Sequence, residues 1–62
     1  MRFVIAGAGR VGLRTARALE DSGHAVVIVE RDHTKVERAR AEGYEVIEGD
    51  AGDEQVLLSA DL

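Results

Sequence analysis

Gly7-Ala8-Gly9-Arg10-Val11-Gly12 places glycine at the first, third and sixth positions of a hexamer. Such hexamers arise by chance, and they acquire meaning from three neighbours: an apolar run before, a helical pattern after, and an acid ending the next apolar run. All three are present. Phe3-Val4-Ile5-Ala6 precedes the loop, a helical stretch follows it, and Glu30 closes Ala25-Val26-Val27-Ile28-Val29, 18 positions beyond Gly12. The chemistry implied is the holding of a nucleotide's pyrophosphate. Gly7 permits a tight turn, Gly9 lacks the Cβ that would keep a pyrophosphate off the backbone, and Gly12 lets a helix lie close on a strand. The first amides of that helix have no intrahelical acceptor, and its dipole is positive at the same end. Glu30 can accept hydrogen bonds from both hydroxyls of a ribose and repels a 2′-phosphate, which favours NAD or a plain adenosine nucleotide over NADP. Arg31 works the other way, because a guanidinium can hold a 2′-phosphate. The plainer readings are a ligand-free βα turn for the loop and a solvated strand-end charge for Glu30.

The elements that must position these residues follow from periodicity. Phe3-Val4-Ile5-Ala6 and Ala25-Val26-Val27-Ile28-Val29 are short, β-branched and continuously apolar, which predicts parallel strands buried on both faces. Between them, over residues 10–22, Val11, Thr15, Ala18 and Leu19 form a helical stripe, with Arg14, Arg17 and Glu20 turned away. Gly23 ends that helix and His24 follows the cap. Asp32 is an N-cap for a second helix reaching Glu42, with Val36 and Ala39 inward, and Gly43 stops it with Tyr44 packing back. Glu45-Val46-Ile47-Glu48 is a third strand, more polar and therefore near a sheet edge. Gly49-Asp50-Ala51-Gly52 is a turn, and Asp53 caps a last helix carrying Val56, Leu57 and Leu58. The order β-α-β-α-β-α with right-handed crossovers gives strand order 3-2-1. The fold class expected is α/β, a three-layer Rossmann-like half domain, with residues 1–62 forming one unit.

At this point the motifs become specific. Val4-Ile5-Ala6-Gly7-Ala8-Gly9-Arg10-Val11-Gly12, the acid-x-Asp of Glu30-Arg31-Asp32, and the late Gly49-Asp50-Ala51 together resemble the TrkA-N domain, the nucleotide-binding half of the RCK/KTN modules that regulate potassium channels and transporters. The resemblance runs over nearly the whole chain. An arginine inside the glycine loop and Gly-Asp-Ala after the third strand separate this family from generic dehydrogenases. The resemblance implies that Arg10 contacts phosphates and that Asp50 and Ala51 border the adenine and its ribose. The expected cofactor-binding set is Gly7, Ala8, Gly9, Arg10, Val11, Gly12, Glu30, Arg31, Asp50 and Ala51, and the expected ligand is NAD(H) or ADP/ATP. Arg10 beside phosphates also satisfies charge-assisted hydrogen bonding. The alternatives are an exposed first-turn arginine, an ordinary turn aspartate at Asp50, and a helix N-cap rather than a ribose contact at Asp32.

The rest of the chain narrows the function class. Its 62 residues allow one small domain, 45% are apolar as in ordinary globular proteins, and there is no cysteine to form a disulfide or thiolate metal site. A net charge of −4 argues against nucleic acid or an anionic membrane surface as partner. Glycine at position 7 breaks the first apolar run too early for a leader or a membrane span. His24 and His33 have no partner at metal-ligand spacing, and the hydroxyls of Thr15, Ser22, Thr34, Tyr44 and Ser59 have no accompanying base. Glu45 and Glu48 point to opposite faces of a strand, and Arg31, Lys35, Arg38 and Arg40 read as the solvated face of the second helix. No catalytic residue and no metal site are therefore expected, and the surroundings expected are cytoplasmic.

A complete Rossmann fold continues for about three more strands. The expectation is a first mononucleotide half whose first strand becomes an exposed apolar edge. That edge predicts a homodimer, and the family resemblance predicts attachment to a potassium transporter. The rival function is the cofactor half of an NAD-dependent dehydrogenase or reductase. A third is a fold segment with no ligand.

Overall fold

A continuous run of β-branched residues buries best between two layers of helix, and the middle of the sheet is where this happens. In a computed structural model, which describes residues 2–61, the elements are β1 (Arg2–Ala6), α1 (Arg10–Asp21), β2 (Ala25–Glu30), α2 (His33–Ala41), β3 (Val46–Glu48) and α3 (Glu54–Asp61). The three strands are parallel in the order β1-β2-β3, which is 3-2-1 counted from the other edge. Arg2 to Ala6 pair in register with Ala25 to Val29, and Ile28 to Glu30 with Val46 to Glu48. The register therefore aligns the end of β1, where the glycine loop begins, with the end of β2, where Glu30 stands.

The core divides between the two faces of β2. Val26 and Ile28 face α1 and α2, meeting Ala16, Val36, Ala39, Tyr44 and Val46, with Phe3, Ile5, Leu13 and Leu19 partly buried around them. Val27 and Val29 face α3 and meet Ala60, with Ile47, Ala51 and Val56 packed alongside. The result is three layers, as β-α-β-α-β-α with right-handed crossovers requires.

Both long helices end by the same device. Gly23 N–H donates to the Glu20 carbonyl and His24 N–H to that of Leu19, while Gly43 N–H donates to Arg40 and Tyr44 N–H to Ala39. The ring after each cap then packs back: His24 meets Phe3 edge to face at 5.1 Å, and Tyr44 is buried. Its hydroxyl accepts from Arg17 Nε at 3.2 Å, and the guanidinium lies 5.9 Å from the ring centroid. Arg17 is thus anchored on Tyr44 instead of turning freely away. Asp32 caps α2 by accepting from Thr34 N–H at 2.9 Å, and Asp53 accepts from Gln55 N–H at 2.9 Å at the start of α3.

Two expectations are corrected. The inward stripe of α1 is Gly12, Leu13, Ala16 and Leu19, whereas Val11 is 77% exposed and Thr15 and Ala18 are exposed. The rotation is set by Gly12, whose Cα face lies against the carbonyl of Gly7 and the side chain of Ile5. Residues spaced four and seven beyond Gly12 must then turn to the sheet, and the stripe one residue earlier lies on the flank of the helix. Second, β1 is not buried on both faces. Phe3 and Ile5 are half-buried under α1, while Val4 and Ala6 on the other side are exposed. Among the described residues β1 pairs with β2 alone. The expected exposed edge is present, and burial on both faces belongs to β2.

No described helix is long and apolar enough to cross a membrane.

Candidate functional site

The glycine loop leaves β1 through Gly7, whose N–H donates to the Val29 carbonyl at 2.8 Å and whose φ of +106° is a conformation other residues rarely adopt. Ala8 follows, nearly fully buried, and Gly9 stands as the N-cap residue of α1 with extended backbone and no side chain to cap with. The first bond of the helix runs from Leu13 N–H to the Gly9 carbonyl. The amides of Arg10, Val11 and Gly12 therefore precede the ladder and face outward at the positive end of the helix. A Cβ on Gly9 would meet nothing within 4 Å, so the space in front of it is open to a ligand, whereas a Cβ on Gly12 would fall 2.3 Å from the Gly7 oxygen. The two glycines thus do different things. Gly12 lets the loop close on itself, and Gly9 keeps the backbone bare toward solvent.

Glu30 is turned to this corner. Its Oε1 accepts from Ala8 N–H at 2.7 Å and its Oε2 from Asp32 N–H at 2.7 Å. These two backbone donors, Ala8 first, hold the carboxyl below the ordinary glutamate range, and a nearby Lys35 adds to the effect. The acid is thereby ionised and fixed in orientation. Each carboxylate oxygen retains acceptor capacity for a further donor, since an ionised carboxylate offers about four lone-pair sites.

Three shallow clefts border the glycines of the loop. The first, of about 220 Å³, brings together Gly7, Glu30, Arg31, Asp50 and Ala51, which lie far apart in the chain. The second, of about 450 Å³, runs along the free flank of β1 and carries Gly9, Arg10, Val11, Gly12 and Thr15. The third, also about 450 Å³, opens toward α2 and is lined by Ala8, Gly9, Arg10, Leu13, Lys35 and Arg38. The loop is the divider, and the expected site residues are split between its sides: Glu30 and the Gly-Asp-Ala turn on one, the helix start on the other. A larger bound group would have to bend over Gly7 and Gly9 to reach both.

Asp50 has a structural role as well as a place in the first cleft. Its Oδ1 accepts from Gly52 N–H at 2.8 Å and its carbonyl from Asp53 N–H at 2.9 Å, which ties the turn before α3. Gly49 N–H donates to the Glu30 carbonyl at 2.9 Å, so this turn is fastened directly behind the acid. Arg10 is exposed and makes no side-chain hydrogen bond or ion pair among the described residues. Arg31 is exposed at the cleft rim.

Lys35 and Arg38 are exposed, as expected of a solvated helix face; what residue types alone do not show is that both also line a cleft that reaches the loop, for which their spacing of three on one helix face is the available signal. His33 likewise stands at a solvated position, as expected. It is exposed, but its Nδ1 lies 2.8 Å from Glu48 Oε1 and its Nε2 3.7 Å from Glu37 Oε1. Glu48, acting through hydrogen bond and charge, raises the imidazole pKa, with Glu37 adding a smaller effect. Glu45, as expected, points elsewhere, pairing with Arg2 at 3.2 Å.

The model of the TrkA-N domain family matches residues 3–62. A Trk system potassium uptake protein TrkA homolog from Pyrococcus horikoshii is 48% identical over 67 aligned positions, covering 100% of this chain and 28% of the relative. Its counterpart from Pyrococcus abyssi is 46% identical with the same coverage. The glutathione-regulated potassium-efflux system protein KefC of Escherichia coli is 41% identical over 59 positions, 95% of this chain and 10% of its own length. The chain thus spans 28% of the length of the TrkA homologs and a smaller share of the efflux protein. With the glycine loop, the strand-end acid and the Gly-Asp-Ala turn all inside the matched span, this chain belongs to the TrkA-N domain family.

Proposed function

We propose that residues 1–62 form the first mononucleotide half of a regulatory module that binds an adenine nucleotide, ADP, ATP or NAD(H), and acts on a potassium transport system on the cytoplasmic side. The observation that carries the reading is the Glu30 carboxylate fixed at 2.7 Å on the Ala8 amide, which puts a ribose acceptor directly beside the amides of the loop. The adenosine is assigned to the cleft between Glu30, Arg31, Asp50 and Ala51, and the phosphates to Gly7, Ala8, Gly9, Arg10, Val11 and Gly12. Open space in front of Gly9 supports the fit, because a pyrophosphate must come within hydrogen-bond distance of the backbone there. The potassium link comes from the relatives, which are named for potassium uptake and efflux. Ligand binding would stabilise the closed loop and shift the equilibrium of whatever the module is attached to. The free edge of β1 supports pairing with a second copy.

The test is a thermal-shift panel of AMP, ADP, ATP, NAD, NADH and NADP on the wild type and on Gly9→Asp. Aspartate is a favourable N-cap, so the variant keeps its fold, while its carboxylate occupies the anion's place. At a ligand concentration about 100 times Kd the wild type gains about 2.7 kcal/mol. Gly9→Asp gains little. Equal responses of the two proteins to every nucleotide would refute the assignment of the loop.

A further inference from the structure

The cleft of about 220 Å³ has two walls from different parts of the chain: Glu30 and Arg31 at the end of β2, and Gly49, Asp50 and Ala51 beyond β3. The Gly49 N–H joins them at the sheet by donating to the Glu30 carbonyl at 2.9 Å. A second tie lies beside the first. His33, the first residue of α2, sets its Nδ1 2.8 Å from Oε1 of Glu48, the residue directly before Gly49. Glu48 is also the register partner of Glu30, so two acids end adjacent parallel strands side by side. Glu30 spends its charge on the amides of Ala8 and Asp32, and Glu48 spends its own on the imidazole. Glu37, 3.7 Å from Nε2, and Arg40 complete the charged groups acting on the ring among the described residues, both from α2. The nucleotide assignment gives this second tie no role.

We propose that the His33–Glu48 pair makes nucleotide binding at the adjoining cleft proton-dependent, with the imidazolium form favouring the bound state. The inference rests on the reading of the loop and Glu30 as an adenine-nucleotide site. A pyrophosphate brings negative charge to a corner where two strand-end acids already stand. With His33 protonated, a cation in contact offsets Glu48. With His33 neutral, that carboxylate keeps its full charge and opposes the anion. The same contact ties the head of α2 to the strand end that leads into the second wall, so it steadies both walls a ligand must bridge. Glu48, by hydrogen bond and then by charge, holds the ring above the ordinary histidine value of about 6.5, with Glu37 adding to this and Arg40 opposing it. A bound anion raises it further. Affinity is therefore highest below the ligand-free value, falls as pH rises through it, and levels off above the ligand-bound value. Between the two, binding takes up protons.

NAD is the probe, because its pyrophosphate diester does not titrate near neutrality, whereas a terminal phosphate does. Calorimetric titrations at about pH 5.5 and about pH 8.5 bracket the imidazole. Wild type is expected to bind about three- to fivefold more tightly at the lower pH, the scale of one exposed pair. Near neutrality its heat should depend on the buffer in the sense of proton uptake. His33→Gln is expected to bind alike at both pH values, at the weaker wild-type level. Glu48→Gln keeps an acceptor for the ring and also flattens the profile, yet at the stronger level, because the charge His33 must offset is gone. A purely structural contact would instead weaken both variants alike at every pH, and that result overturns the coupling. So does a wild-type pH dependence that persists in His33→Gln. The ring signal that His33→Gln removes from the proton NMR spectrum gives a second readout: its midpoint should rise on adding NAD, and an unmoved midpoint in a chain that binds NAD refutes the proposal. No heat from wild type with NAD, ADP or ATP at either pH is a different outcome, which overturns the nucleotide reading itself and the coupling with it.

Discussion

Gly9 and Gly12 share one motif yet fail in different ways when changed. A Cβ at position 12 would stand 2.3 Å from a backbone oxygen, which has no freedom to swing aside. Gly12→Ala therefore forces α1 off the sheet and is expected to cost about 1–3 kcal/mol, the range for overpacking a close contact. A lower urea midpoint at unchanged slope would register it; an unchanged midpoint would mean that α1 does not rest on Gly7. Position 9 has nothing within 4 Å, so a side chain there projects into open space and leaves the fold alone, which is what lets Gly9→Asp test the proposed ligand. Glu30 sits between these cases: its two hydrogen bonds to backbone amides fix its orientation and also tie the loop to α2.

Among the elements, the join of α2 to β3 has a titratable fastening. His33 opens α2 and Glu48 ends β3, and their contact at 2.8 Å links the two beside the strand end that carries Glu30. Glu37 faces the same ring from one turn along, and Arg40 opposes the charge weakly. Because the folded protein holds the imidazole pKa above its free value of about 6.5, the stabilisation is fully present below that pH. It is lost as pH rises through the elevated folded value. The difference in melting temperature between wild type and His33→Gln should accordingly be largest near pH 5.5 and vanish in mildly alkaline buffer. The pair is exposed, so added salt should shrink the difference. A difference constant with pH would remove the ion pair from the account.

For the molecule as a whole, one flank of β1 has no strand partner among the described residues. Val4 is 40% exposed on the strand, Val11 stands out from α1, and the cleft between Ile5 and Thr15 runs along the same side. A parallel strand with a bare edge and apolar neighbours is a template for another strand. Self-association through this side predicts a dimeric mass in sedimentation at tens of micromolar and a monomeric one for Val4→Lys, since an edge lysine blocks pairing. Identical masses for the two proteins would assign the contact elsewhere.

The order of elements, the parallel sheet, the helix caps at Asp32 and Asp53, the chain reversals after α1 and α2, and the family were all readable from residue types and spacing. Those features depend on local rules: glycine where a helix ends, aspartate where one begins, unbroken apolar and β-branched runs where a strand forms. What the tertiary structure decided depends on contacts between distant positions. The face α1 presents was set by Gly12 resting on Gly7, one residue out of phase with the stripe of Val11, Thr15 and Ala18 expected from the sequence. The burial of β2 and the exposure of β1 were set by sheet position, which two nearly identical apolar runs cannot encode. Lys35 and Arg38 are exposed, as their residue types suggest, and only the packing of α1 and α2 on one face of the sheet places them in a cleft that Ala8, Gly9 and Arg10 also line.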